Sequence, residues 1–384
     1  LPYIRLSSFY FFYFALLGAM IPYWSLFLEN QKFSASTIGI LMGVFHFSRI
    51  FAPTLWGWLS DITGCRIGIV RIGAALTSLI FLGIFWQEGA LGIGLIMLGY
   101  SFFWNAILPQ FEVITLEHLE EEKQKYSRVR LWGSIGFIMA VLIVGWGLEF
   151  VGIHNLPFIL LLLMLLIWGN TLLITEKKAP SVPQIGQDHS LWAIIKQPQV
   201  AAFFVITLLV QFSHGPYYTF FSVLMQEQGF ESTSIGMLWA LGVVAEVLIF
   251  ILMPTLLSRF GCRQILLISL FLTTVRWVLT GLFSEHLSVI ILAQLLHAAS
   301  FGCLHAVGIS LVHHYFPDTM QGRGQALFSS IGFGVGGTFG AIVSGILWDY
   351  GALVSFSVAA VAAGVAFWVA YIWIYPEKVH QNRY

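Results

Sequence analysis

Twelve apolar runs follow one another along this 384-residue chain, at 6–28, 37–59, 69–87, 90–116, 129–149, 155–175, 199–223, 235–257, 265–283, 287–313, 325–348 and 352–375. Each has about the 20 residues that a helix needs to cross roughly 30 Å of hydrocarbon. Inside lipid a backbone must satisfy its own hydrogen bonds, so runs of this length and spacing can only be helices. Composition agrees, with 58% hydrophobic and 9% charged residues, and it excludes a soluble domain. The fold class is therefore an all-α membrane protein with the lipid bilayer as its first partner. Equal numbers of acidic and basic residues, 18 each, point to no nucleic-acid partner.

Charge distribution sets the expected orientation. Fifteen of the eighteen Lys and Arg lie at the termini or at even-numbered connections, Lys32 lies in an odd one, and Arg49 and Arg276 lie inside spans. By the positive-inside rule both termini are expected in the cytoplasm, as in a multi-pass protein of a bacterial inner membrane. The first run is long and has no small-residue cleavage site, so it reads as a spanning helix and not as a signal peptide. The longest polar stretch, 176–198, carries several prolines and reads as a cytoplasmic linker between a six-helix bundle at 1–175 and another at 199–384. Three cysteines without metal-ligand spacing predict no disulfide.

The two halves are related. "TIGILMGVFHFSRI" from Thr37 and "SIGMLWALGVVAEV" from Ser234 align without gaps at an offset of 197, and "GCR" recurs at the end of both segments. A parallel repeat of six spans, together with the loop "GWLSDITGCR", resembles the major facilitator superfamily, whose loop between helices 2 and 3 reads Gly-x-x-x-Asp-x-x-Gly-x-Arg. Here those positions are Gly57, Asp61, Gly64 and Arg66. The resemblance implies two six-helix halves, a substrate path between them at the midplane, and a loop that tunes the conformational equilibrium. Gly57 is expected to let helices approach closely, and Asp61 to cap a helix or pair with a cytoplasmic Arg.

Ionisable groups inside spans are expensive and mark function or structural pairing. They are Arg49, Glu112, Glu246, Arg276 and histidines 46, 214, 297 and 305. Glu246 and Arg276 lie at matching depths, and Arg49 occupies in helix 2 the repeat position that Glu246 occupies in helix 8. In helix 10, Gln294, His297, Phe301 and His305 form one stripe. Helix 7 sets Gln211, His214, Tyr218 and Ser222 on one face beside the helix-breaking Gly215-Pro216. Helix 1 mirrors it with Tyr13, Met20 and Trp24 beside Pro22, and Tyr23 and Trp24 read as interfacial aromatics. Helix 4 sets Ser101, Asn105, Leu108 and Glu112 on one face. Each group has a structural reading, an interhelical hydrogen bond or counterion, beside its functional one. No HExxH or clustered His/Cys/carboxylate spacing and no nucleophile constellation appears, so no metal, cofactor or enzymatic activity is expected.

Glu112 and Arg130 stand eighteen residues apart across a short loop, so the end of helix 4 can meet the start of helix 5. This spacing resembles lactose-permease-like proton symporters, where such a pair holds substrate while an acid on helix 8, an Arg on helix 9 and a His on helix 10 handle the proton. Glu246, Arg276 and His297 match those three. The chain departs from that family at Ser300, where a Glu is usual, and at Phe137, where a sugar-stacking Trp is usual. "VVAEV", "VRW", "QLLH", Arg49 and "VRLWGS" are closer to the phenylpropionate permease family. The resemblance implies proton-coupled uptake of a small organic solute such as an aromatic monocarboxylate, with an oligosaccharide or nucleoside as the alternative. Expected substrate contacts are Glu112, Arg130, Asn105, His214, Tyr218, His297 and Gln294. The expected proton network is Glu246, Arg276, His297, His305 and Arg49, and the protein is expected to work as a monomer.

Overall fold

The computed structural model describes residues 3–119, 122, 125–175 and 190–375. Eleven segments are long and apolar enough to span a bilayer. They are α1 Tyr3–Asn30, α2 Ala35–Thr63, α3 Arg66–Trp86, α4 Ala90–Leu119, α5 Tyr126–Val151, α6 Ile153–Leu172, α7 Pro198–Glu227, the 51-residue segment Ser232–Leu282, α10 Leu287–Tyr315, α11 Gln321–Trp348 and α12 Ala352–Trp373. The long segment turns at Gly261, whose φ of 72° and ψ of 163° are not helical, and so comprises α8 (232–260) and α9 (262–282). Twelve spans result, each within a few residues of its apolar run. Gly64 holds the corresponding turn of the first half at φ 61°, the left-handed region where a Cβ is strained. Most of the expected linker, 176–189, lies outside the described residues; Leu191–Ile195 forms a short helix beyond it.

Several spans are interrupted where the sequence forces it. Pro22 lacks an N–H, and α1 is split into Tyr3–Met20 and Trp24–Asn30. Pro216 does the same to α7 after Ser213. A 3₁₀ turn at Ser48–Ile50 interrupts α2, and π-helical turns occupy Ala298–Cys303 of α10 and Ser330–Gly336 of α11. Such turns re-aim side chains and recur at functional sites.

Glycines bring the halves together on the face that carries the odd-numbered connections. A Cβ on Gly39 of α2 would stand 2.7 Å from Ala341 O and from Gly345 Cα of α11, and one on Gly236 of α8 would stand 2.6 Å from Val141 O of α5. Polar contacts reinforce this seam: the Ser36 hydroxyl donates to Asp349 at 3.1 Å, and the Thr233 N–H to Glu149 at 2.8 Å. Two sequence expectations change here. Tyr23 and Trp24 are not interfacial but fully buried. The split in α1 turns Tyr23 into the seam, where its hydroxyl donates to Val141 O at 2.7 Å, while the Trp24 indole N–H points at Met97 Sδ. On the opposite face, a Cβ on Gly57 would meet nothing within 4 Å among the described residues, so the close approach expected of it is not made there with the halves clamped at the other end.

Candidate functional site

A cavity of about 230 Å³ lies between the halves and draws its walls from α1, α2, α5, α7, α8, α10 and α11. Much of it is aromatic or aliphatic, with Phe14, Phe45, Phe137, Trp239, Phe301 and Phe333 prominent. Arg49, Arg130, His46, Ser134, Gln211, Tyr218, Glu246 and His297 supply its polar groups. The 197-residue repeat explains much of this lining. Phe14/Gln211, Ile21/Tyr218, Met42/Trp239, His46/Val243 and Arg49/Glu246 are repeat-related pairs, and both members of each face the cavity.

The cations are placed unequally. Arg276 is fully buried beside the cavity. Its Nε donates to Ala293 O at 2.8 Å, and its Nη1 donates to Ser300 Oγ at 2.7 Å and to His297 Nδ1 at 3.0 Å. Its guanidinium also lies over the rings of Tyr217 and Trp277, at 4.2 and 4.6 Å. Because a guanidinium only donates, His297 Nδ1 must accept, which leaves the ring proton on Nε2. That nitrogen stands 3.5 Å from Glu246 Oε2. Glu246 thus reaches Arg276 through His297; the direct pairing suggested by equal depth is not made, because the imidazole occupies the space between them.

Arg49 and Arg130 are different. Arg49 faces the cavity with its guanidinium over Phe45 at 5.4 Å, and Arg130 stacks on Phe14 at 3.9 Å. Among the described residues neither has a carboxylate within 4.0 Å. The ion pair expected between Glu112 and Arg130 is therefore not formed. Glu112 instead accepts from the Tyr126 hydroxyl at 3.3 Å, and it lies outside the cavity wall.

The remaining expected site residues divide into two groups. Tyr218 and His297 line the cavity, whereas Gln294 is buried behind it and accepts from the Tyr217 hydroxyl at 2.9 Å. His214 is fully buried, bonds to Val210 O through Nδ1 and packs edge-on against Trp277. Asn105 donates to Ser48 Oγ at 2.8 Å and so braces the 3₁₀ turn that carries Arg49. His305 stacks parallel to Phe301, which in turn stacks parallel to His297, so the α10 stripe exists although only part of it faces the cavity. In the α2–α3 loop, Arg66 reaches Asp61 at 3.4 Å and Glu117 of α4 at 3.5 Å. His46, Ser134 and Trp239 were not expected as site residues; their repeat partners or their helical spacing from Arg49, Arg130 and Glu246 could have indicated them.

Residues 3–358 match the MFS_1 like family. The chain belongs to this family. It is accordingly a multi-pass membrane transporter. Among its relatives is a protein of Escherichia coli (strain K12) described as a probable 3-phenylpropionic acid transporter, 29% identical over 89% of this chain and 90% of that one. The maltose permease of Geobacillus stearothermophilus is 25% identical over 93% of this chain and 91% of its own length. The crystal structure of the nucleoside transporter NupG superposes with a TM-score of 0.82 at 20% identity, covering 97% of this chain and 98% of that one, which shows the shared fold.

Proposed function

We propose that this family member is a proton-coupled symporter that takes up a small aromatic monocarboxylate by alternating access, with the halves 1–175 and 199–384 rocking about the cavity on the linker 176–198. The observation that carries this reading is the pair of cavity arginines, Arg49 and Arg130, with no carboxylate partner among the described residues. A cation facing a largely apolar cavity favours an anionic guest, and a guanidinium matches a carboxylate through paired donors. Phe14, Phe45, Phe137 and Trp239 then offer ring faces for an aryl group. The cavity volume lies below the roughly 300–1,000 Å³ typical of drug-sized ligand sites. That size favours a single-ring acid over an oligosaccharide. The relative described as a phenylpropionic acid transporter supports the same class.

The coupled proton is carried by Glu246 in this reading. When charged, Glu246 attracts the His297 Nε2–H that stands 3.5 Å from Oε2; protonation removes that charge and changes the balance between the two access states. Both termini and the even-numbered connections are cytoplasmic in a bacterial inner membrane, following the Lys and Arg distribution. A single chain encloses the cavity, which supports a working monomer. Ser134, Gln211 and Thr219 favour a second reading, a neutral nucleoside bound through its hydroxyls.

Binding to purified protein separates the two readings. Phenylpropionate should bind, its amide should bind more weakly, and Arg49→Gln or Arg130→Gln should weaken the acid by about tenfold or more while scarcely affecting the amide, as expected for a charge-assisted bond. Equal binding of acid and amide, or displacement by nucleosides alone, would overturn the carboxylate reading.

A further inference from the structure

A second, smaller chamber lies inside the carboxy-terminal half, between α7, α9, α10 and α11 and on the even-connection side of the central cavity. Its volume is about 30 Å³. Phe301 and Gln211 line both spaces and separate them. Most of its wall is apolar, including Phe203 and Phe328, but Thr207, Gln211, Ser300 and His305 also face it. His305 Nδ1 is buried and has no hydrogen-bond partner among the described residues.

We infer that this chamber is a water site which extends the hydrogen-bond chain of Arg276 and Ser300 to His305. A buried water requires room for about one probe sphere, roughly 10–15 Å³, and two to four polar partners. Both conditions are met. Ser300 Oγ accepts from Arg276 Nη1, so its own hydrogen is free to donate. Thr207 Oγ1 donates to Phe203 O at 2.9 Å and keeps lone pairs that can accept. One water can therefore accept from Ser300 and donate to Thr207 Oγ1 and to His305 Nδ1. This arrangement satisfies the buried imidazole nitrogen, which would otherwise cost free energy.

The consequence concerns coupling and rests on the proton-symport reading above. A continuous chain then runs Glu246–His297–Arg276–Ser300–water–His305, with an ionisable group at each end. The other charged or titratable groups near His305 are Arg130 across the cavity and Phe301's stacking partner His297 on the same helix. From α8 and α11 the His305 ring meets the rings of Phe250, Phe328 and Phe333. A rearrangement that frees His297 from Glu246 can reach His305 through the stacked Phe301 ring and through this polar chain, and the chain carries it by hydrogen bonds, so the water is a link in the device that joins protonation to helix movement.

Two measurements on full-length protein in liposomes test the inference. Histidine labelled with ¹⁵N, with the His305 signal assigned by its loss in His305→Phe, should show transfer of magnetisation from water to Nδ1. Thr207→Val preserves shape and removes one partner; Thr207→Leu fills the chamber with carbon. Thr207→Leu should abolish the water transfer and Thr207→Val should weaken it, and each should slow proton-driven net uptake of phenylpropionate, by about tenfold for the larger change if one network bond is lost. The steady-state accumulation ratio should stay the same, because a coupling link alters rate and not stoichiometry. A His305 nitrogen without water transfer in the parent protein, or unaltered net uptake in a folded Thr207→Val protein that has lost that transfer, overturns the inference. Water transfer at His305 in a parent protein that never responds to a proton gradient would instead sink the symport reading and leave the water site standing.

Discussion

Replacing Gly39 with Ala should move the protein's conformational equilibrium without touching substrate. The new Cβ would stand 2.7 Å from Ala341 O and Gly345 Cα and 3.0 Å from Gly345 N, all of them backbone atoms of the opposite half. No rotamer change can relieve a backbone clash, so α2 and α11 must separate. Overpacking of this kind costs about 1–3 kcal/mol. Alanine also favours the helix over glycine by roughly 1 kcal/mol. That gain is the same in every access state, because α2 stays helical, and it cancels from the equilibrium between them. The clash exists only while the odd-connection seam is closed. A shift of about 1–3 kcal/mol corresponds to a population change of about 5–150-fold toward the state opened on that face. The assay is pulsed electron–electron resonance between spin labels at Lys32 and Tyr350, which lie in the first and eleventh connections, after replacement of Cys65, Cys262 and Cys303. A longer-distance population should appear or grow in Gly39→Ala. Gly345→Ala should do the same, and the double variant should add little, because one separation relieves both clashes. An unchanged distance distribution in a folded Gly39→Ala protein would refute the idea that this glycine contact holds the seam closed.

Further outcomes follow from the polar contacts. Arg276→Ala strips His297 Nδ1, Ser300 and Ala293 O of their buried donor and should destabilise the detergent-solubilised protein by ~3 kcal/mol or more; a melting temperature equal to the parent's would mean that the network is dispensable. Arg276→Lys should recover only part of that loss, since an ammonium cannot reproduce the forked donors. Asp61→Asn weakens an exposed contact to Arg66, with the Asp61 side chain 75% accessible, so stability should fall by less than ~1 kcal/mol. Phenylpropionate affinity should also be retained in Asp61→Asn while turnover drops, and a lost affinity would show that the loop bears on the substrate cavity directly.

Much of the architecture was legible because lipid leaves the chain few choices. Apolar run length set the spans to within a few residues, and prolines 22 and 216 marked the breaks in α1 and α7. Arg49 and Glu246 were legible as equivalent positions through the repeat, and both reach the cavity. Pairings were harder to read, since depth along a helix says nothing about which side chain stands between two charges. His297 intervenes between Glu246 and Arg276, and Tyr126 takes the place beside Glu112 that Arg130 was expected to hold. Tyr23 and Trp24 looked interfacial from their position near a helix end, yet α1 continues past the break at Pro22 for seven more helical residues, Trp24–Asn30, and both side chains are buried. The π-helical turns left no sequence signal apart from clustered small residues; they carry Phe301 and Phe333, both of which line the cavity.

Glu246 carries the central claim, and its titration can be removed without changing its shape. Glu246→Gln keeps the size and a carbonyl oxygen near His297 Nε2 and, like the protonated acid, carries no charge. In proteoliposomes with an inward proton gradient, the parent protein should accumulate labelled phenylpropionate above the external concentration. Glu246→Gln should exchange internal for external phenylpropionate yet fail to accumulate it. Accumulation by Glu246→Gln at the parent's level would contradict the account, because the proton would then be carried elsewhere.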